Sequence, residues 1–168
     1  MWGPMTRPLA LLLALSAPAA ADTTYAFCWI GGAGYTMEGT ITVPAGAAGI
    51  LTEDDVAGFR ITGYRDGVPL GSWSMADRTP ETTFELRFDA DRLEFPMGGS
   101  RMLGTYQAWN ADGLVENCGN PGFGFNGGNR AQDVCVDGTF IDESGVPPST
   151  PLRAAPDTAT PCGPLPMS

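Results

Sequence analysis

Apolar and polar residues alternate from Tyr35 to Val43. Tyr35, Met37, Ile41 and Val43 fall on one face, and Thr36, Glu38, Thr40 and Thr42 on the other. A period of two predicts a half-buried antiparallel strand. Gly39 lies on the apolar face, where a missing side chain marks a close approach or a bend, and Pro44 stops the strand. The alternation recurs over Thr82 to Phe88, with Phe84, Leu86 and Phe88 opposed to Thr83, Glu85 and Arg87. Tyr25 to Ile30 is aromatic and β-favouring. Asp66-Gly67, set between Phe59–Arg65 and Val68–Trp73, is a strong hairpin signal, and Pro69 places the second strand at an edge or a bulge. Asp89 to Arg92 turns the chain into Leu93–Phe95. Another hairpin reads as Thr105–Asn110, Ala111-Asp112-Gly113 and Leu114–Cys118. Gly122–Asn126 (GFGFN), a Gly-Gly turn and Ala131–Asp137 form the last pair, extended through Thr139–Ile141. Thr52 followed by Glu53, Asp54 and Asp55 reads as a capped single helical turn. No stretch sustains a helical period. The pattern predicts an all-β fold, an antiparallel sandwich or small barrel of roughly eight to ten short strands.

The two ends break this pattern. Leu9 to Leu15 (LALLLAL) is an apolar run behind a single positive charge, Arg7, and Ser16 to Ala21 ends in small residues, with Ala19 and Ala21 placed for a signal peptidase. The run is less than half of the ~20 residues that span a bilayer, so residues 1–21 read as a cleavable signal peptide rather than an anchor. The mature chain is then expected to be soluble, in the periplasm or outside the cell. From about Gly145 aromatics vanish, and seven of the fifteen prolines fall between Pro147 and Pro166. Residues 22–144 are read as one β-domain and 145–168 as a Pro-rich extended tail.

Export changes the meaning of the cysteines. Cys28, Cys118, Cys135 and Cys162 are even in number, none forms CxxC, and no histidine exists to complete a zinc site. In an oxidising compartment they read as two disulfides with three possible pairings. Cys118 and Cys135 flank the Gly-rich hairpin and are the first choice, which leaves Cys28 with Cys162, stapling the tail to the first strand.

The formal net charge is −10, which disfavours nucleic acid and anionic lipid as partners. All nine basic residues are arginine. Without histidine there is no Ser-His or Cys-His pair and no imidazole base, and without lysine no Schiff base. Carboxylate chemistry survives, as in glycoside hydrolysis, which needs two Asp or Glu residues roughly 5–10 Å apart in one cleft. Glu38, Glu85, Glu94 and Glu116 are the candidate glutamates, and no pair among them stands out.

Other motifs have plainer readings. Gly122, Gly124 and Gly127 spell GxGxxG, but a dinucleotide site needs a strand before and a helix after, so a Gly-rich hairpin is favoured and no cofactor is expected. Asp89, Asp91 and Glu94 could offer oxygens to calcium, yet they lack the EF-hand's glycine and terminal glutamate, and aspartates serve turns on their own. No metal site is assigned. Trp29, Trp73, Trp109, Tyr64 and Tyr106 could form a platform for sugar rings, with core filling the favoured alternative.

The runs Cys28–Gly67 (CWIGGAGYTMEGTITVP…ILTEDDVAGFRITGYRDG) and Asn120–Gly138 (NPGFGFNGGNRAQDVCVDG) resemble a group of secreted bacterial β-proteins, in the strand GYTMEGTITV, a TxxD turn and the strand FRITGY. The resemblance implies an all-β exported domain and supplies no catalytic residue. The expectation is a non-enzymatic binding or structural protein whose partner the sequence does not identify, a glycan or envelope component being the candidate class, with a carboxylate-dependent glycan hydrolase as the alternative.

Overall fold

A computed structural model describes residues 21–111, 118–156 and 162. The first strand, β1 (Thr23–Ile30), pairs along its whole length with β2 (Tyr35–Val43). In β2 every alternate residue is buried, as the period of two requires. Gly39 stands opposite Phe27, whose ring occupies the space that a side chain at 39 would fill. After β3 (Ile50–Thr52), the chain forms β4 (Gly58–Arg65) and β5 (Val68–Ser74). Asp66 and Gly67, with φ of 49° and 79°, make the tight turn between them, and the pairing shifts register beside Tyr64, opposite Pro69. β5 ends its sheet, a position that tolerates a proline.

The segment Thr82–Phe88 keeps its alternation but changes sheet. It divides into β6 (Phe84–Glu85) and β7 (Arg87–Asp89), and β8 (Glu94–Phe95) follows the Asp89 turn. β6 pairs with β9 (Gln107–Trp109), whereas β7 pairs with β3 and β8. Leu86, at the crossing, is fully buried. Such strand switching makes the corner of a sandwich. The remaining strands are β10 (Phe123–Gly127), β11 (Gln132–Val136), β12 (Thr139–Val146) and β13 (Leu152–Pro156).

The result is an all-β fold of two antiparallel sheets. The larger has the order β3-β7-β8-β13-β1-β2-β4-β5 and the smaller β12-β11-β10-β9-β6. Between them lies one apolar core. Trp109 of the smaller sheet packs against Phe27, Phe59 and Phe95 of the larger, with ring centroids 5.6, 4.8 and 5.1 Å away, and Phe125 packs against Trp29 at 5.4 Å. Edge-to-face contacts of this kind add to simple area burial. Thirteen strands appear among the described residues, more than the pattern suggested, because five of them are only two or three residues long.

Two readings of the sequence are corrected. The domain does not end at 144. β12 runs to Val146, and Leu152–Pro156 is an inner strand between β8 and β1, with Leu152 buried. Prolines at 147, 148 and 151 shape the connection and do not prevent the chain from re-entering the sheet; Pro156 faces Tyr25 at the strand end. Nor is Thr52–Asp55 a helical turn capped by Thr52. Instead, the Asp55 carboxylate accepts from the Thr52 N–H (2.8 Å) and hydroxyl (2.7 Å), and the Asp55 N–H returns to the Thr52 carbonyl at 3.0 Å.

Cys28 bonds to Cys162 and Cys118 to Cys135, with Cα–Cα separations of 5.2 and 5.5 Å. Disulfides fit an oxidising compartment. No helix among the described residues is long and apolar enough to cross a membrane. The signal-peptide segment, apart from Ala21, lies outside the described residues, as does 112–117 of the 105–118 hairpin.

Candidate functional site

The smaller sheet turns one face to the core, through Gln107, Trp109, Phe123, Phe125, Gln132 and Val134. By the pleat, Ala108, Asn126, Asp133 and Cys135 point the other way. Asn126 of β10 stands opposite both Ala108 of β9 and Asp133 of β11, so the register puts an amide beside a carboxyl on the outer face.

A bulge opens the wall next to them. Gln132 pairs with Val146 and Val134 with Ile141, so four residues, Asp142 to Gly145, face the single residue Asp133. Side chains replace the missing ladder. Ser144 Oγ accepts the Val134 N–H at 3.0 Å and donates to the Ile141 carbonyl at 2.6 Å, while the Ser144 carbonyl accepts the Gly32 N–H at 2.8 Å. Glu143 is held from the larger sheet: it accepts from the Tyr35 hydroxyl at 3.1 Å and pairs with Arg65 at 3.1 Å, and Arg65 also donates to the Tyr35 oxygen at 3.0 Å. Burial, and then the bond to Glu143, push the Tyr35 phenol pKa up, with Arg65 opposing. Below the bulge, buried Gln132 accepts from Trp29 Nε1 (2.9 Å) and donates to the carbonyls of Pro148 (2.9 Å) and Thr150 (2.6 Å). The three partners of that amide lie on β1 and in the turn beyond β12, which fixes the Pro147–Thr150 turn against the sheet.

These supports leave a cavity of about 780 Å³ on the outer face. Its polar lining includes Asn126, Asn129, Arg130, Asp133 and Asp142, and its rings are Tyr106 and Phe140. Asp133 is 5% exposed. Burial, partly offset by the Asn126 amide and reinforced by the negative charge of Asp142, pushes its pKa up to about 6. Asn126 Nδ2 donates to Asp133 Oδ1 at 3.4 Å, and Asn126 Oδ1 is shut off from solvent without a donor among the described residues. Asp142, by contrast, is exposed. The arrangement therefore holds two carboxyls in contrasting environments on one cavity, beside an amide, a guanidinium and two aromatic rings.

The residues singled out by sequence lie elsewhere. Glu38 is on the polar face of β2. Glu85 accepts from Arg101 Nε through both oxygens, at 2.7 and 2.8 Å, and Glu94 pairs with Arg92 and Arg153 at 3.2 and 3.8 Å. Glu116 lies outside the described residues. Asp89 Oδ1 accepts the N–H groups of Asp91 and Arg92, both at 3.0 Å, and Asp91 accepts the Gly49 N–H at 3.2 Å, so these aspartates serve turns. Among the described residues, no three His, Cys, Asp or Glu side chains come together as a metal site. Gly122, Gly124 and Gly127 belong to the hairpin of β10 and β11, and β11, not a helix, follows them. Trp29, Trp73 and Trp109 are buried in the core. Of the five aromatic candidates Tyr106 reaches the cavity, while Tyr64 sits half-buried on β4. Asp133 escaped notice because nothing in a single strand of alternating type shows that both its faces are covered. The one local trace of Asp133 is its place directly before Val134-Cys135-Val136, which does not by itself fix burial.

Fold and site together define a disulfide-bonded β-sandwich with a polar, aromatic-rimmed cavity on the outer face of its smaller sheet. Comparison of the chain with protein-family models, with curated proteins and with solved structures finds no match. The chemistry of the cavity itself carries the functional reading.

Proposed function

We propose that this chain is an exported β-domain, of the periplasm or the extracellular space, that binds a glycan or a comparably hydroxyl-rich envelope component in the outer-face cavity. The observation that carries the reading is the lining. Asn129, Arg130 and Asp142 are exposed planar polar groups that can each engage neighbouring hydroxyls through two atoms of fixed geometry, with Asn126 and Asp133 behind them. Phe140, with 37% of its surface exposed, offers an apolar face to the C–H side of a sugar ring, and Tyr106, stacked under the Arg101 guanidinium, adds to the lining. The volume is that of a small-ligand site. Two disulfides and the apolar leader-like run Leu9–Leu15 support export.

The test is an oligosaccharide array probed with the purified, disulfide-bonded protein. Retention of a defined set of glycans, weakened about tenfold or more by Phe140→Ala, is the expected result. If no oligosaccharide is retained, or if Phe140→Ala binds as the wild type does, the reading fails.

A further inference from the structure

We propose that the cavity also cleaves what it holds, with Asp133 as the general acid and Asp142 as the base in hydrolysis of a glycosidic bond. The proposal rests on the reading of the cavity as a glycan site and goes beyond it, from binding to chemistry.

Glycoside hydrolysis asks for two carboxyl groups on one cavity, one of them protonated when the substrate arrives. Asp133 and Asp142 both line the cavity, and the β11–β12 register sets the bulge that carries Asp142 opposite Asp133. Their surroundings differ in the sense the reaction needs. Asp133 sits on an inner strand of the smaller sheet, nearly closed off from solvent, which favours its neutral form. Asp142 projects from the bulge and is exposed. Asn126 Nδ2 donates to Asp133 Oδ1 at 3.4 Å, so the proton to be transferred is assigned to Oδ2. The bulge that bears Asp142 is itself pinned by Ser144 and by the clasp of Glu143 with Tyr35 and Arg65, so the base rides on a fixed support.

The step balances within these groups and one water. The Asp133 carboxyl gives its proton to the bridging oxygen as the bond from that oxygen to the anomeric carbon breaks. Water attacks the anomeric carbon and loses a proton to the Asp142 carboxylate. The products are a hemiacetal and an alcohol, and exchange with solvent returns the proton to Asp133. Neither histidine nor lysine is needed, which suits a chain that has none.

The experiment incubates the full-length disulfide-bonded protein with the oligosaccharide the array retains best, near pH 5, in water carrying a heavy oxygen isotope, and follows products by mass spectrometry. Cleavage with the heavy oxygen at the new reducing end is expected, falling about tenfold per pH unit above about 6. Asp133→Asn and Asp142→Asn should each lower the rate about a hundredfold or more while both variants keep the wild-type circular dichroism spectrum. Asp142 is exposed, so its variant reports even if Asp133→Asn folds poorly. An oligosaccharide that is bound and never cleaved overturns the hydrolysis and leaves the binding reading standing. So does cleavage that both variants perform at the wild-type rate. An array that retains nothing overturns both.

Discussion

Phe27 meets Phe95, Trp109 and Phe59 at centroid distances of 4.7, 5.6 and 5.7 Å, and it reaches them by lying across the backbone of Gly39. A Cβ at 39 would collide with the Phe27 ring and come within 2.8 Å of the Arg60 carbonyl, an atom of the neighbouring strand that cannot move aside cheaply. Gly39→Ala should therefore lose about 2–3 kcal/mol in urea unfolding, an overpacking effect larger than any gain in strand propensity. Asp133 is the opposite case, a residue whose environment opposes its charge. Its folded pKa lies above the usual carboxylate value, so the native state binds the proton more tightly than the unfolded chain does. Its contribution is fully favourable below the unfolded pKa, near 4, and is lost as pH rises through about 6. Asp133→Asn should thus raise the melting temperature at pH 7 to 8 relative to wild type and have little effect near pH 4, the difference being on the order of 1–3 kcal/mol. Asn126→Ala should move the Asp133 midpoint further up, because the amide bond favours the ionised form; carbon-detected NMR titration measures it. Gly39 could be read from the sequence, since a gap on an apolar face has one local meaning. Asp133 could not, because its burial depends on what covers the second face of the sheet.

Strands regular enough to alternate over six residues or more were legible from their own pattern, and β2 and the Asp66-Gly67 hairpin stand where that pattern places them. What escapes such a reading is any element whose partner is set at long range. Phe84 to Phe88 alternates without a break, yet Leu86 divides it between two sheets, and Gln107 seals the corner by accepting the Arg87 N–H at 3.0 Å and donating to the carbonyls of Arg87 and Pro96 at 2.8 and 3.0 Å. The bulge of β12 is likewise invisible locally. Its geometry comes from Ser144 and from Glu143, which reaches a tyrosine 108 residues earlier. Removing the Tyr35 hydroxyl by Tyr35→Phe should loosen this clasp to the Glu143–Arg65 pair at a cost of about 1 kcal/mol and raise amide exchange at Val134, while the β1–β2 pairing keeps its protection. If the bulge amides exchange as in the wild type, the Tyr35 hydroxyl does not hold it. The same element carries Asp142, so the variant should also weaken ligand retention without touching the cavity.

At the scale of the molecule, the larger sheet is closed by its last strand. β13 inserts between β1 and β8, matching Phe27 with Ala154 and Phe95 with Leu152, and the Ala154 N–H adds a bond to the Leu93 carbonyl at 2.8 Å. Without it, β1 and β8 would each expose an unpaired edge directly above the aromatic core. The order of the strands therefore demands that residues far apart in sequence meet before the core can close, and such non-local contacts are entropically expensive. The Cys28–Cys162 bond, with a sequence separation of 134, acts on that term: it ties the chain beyond β13 to β1 and restricts the unfolded ensemble over nearly the whole domain. In the chain-entropy limit a loop of this length is worth about 5 kcal/mol, against about 3 kcal/mol for the short Cys118–Cys135 loop. A Cys28→Ser, Cys162→Ser double variant should accordingly lose more stability than Cys118→Ser, Cys135→Ser, measured by urea midpoint under non-reducing conditions. Truncation after Thr150 should be worse than either, since it removes the inner strand along with the bond. A truncated chain that keeps a cooperative unfolding transition would mean that the larger sheet closes without β13. The prolines that make this region resemble a tail instead make sense as stiffeners of the Pro147–Thr150 turn, which Gln132 holds beneath the cavity, so closing the sheet and shaping the site depend on one stretch of chain.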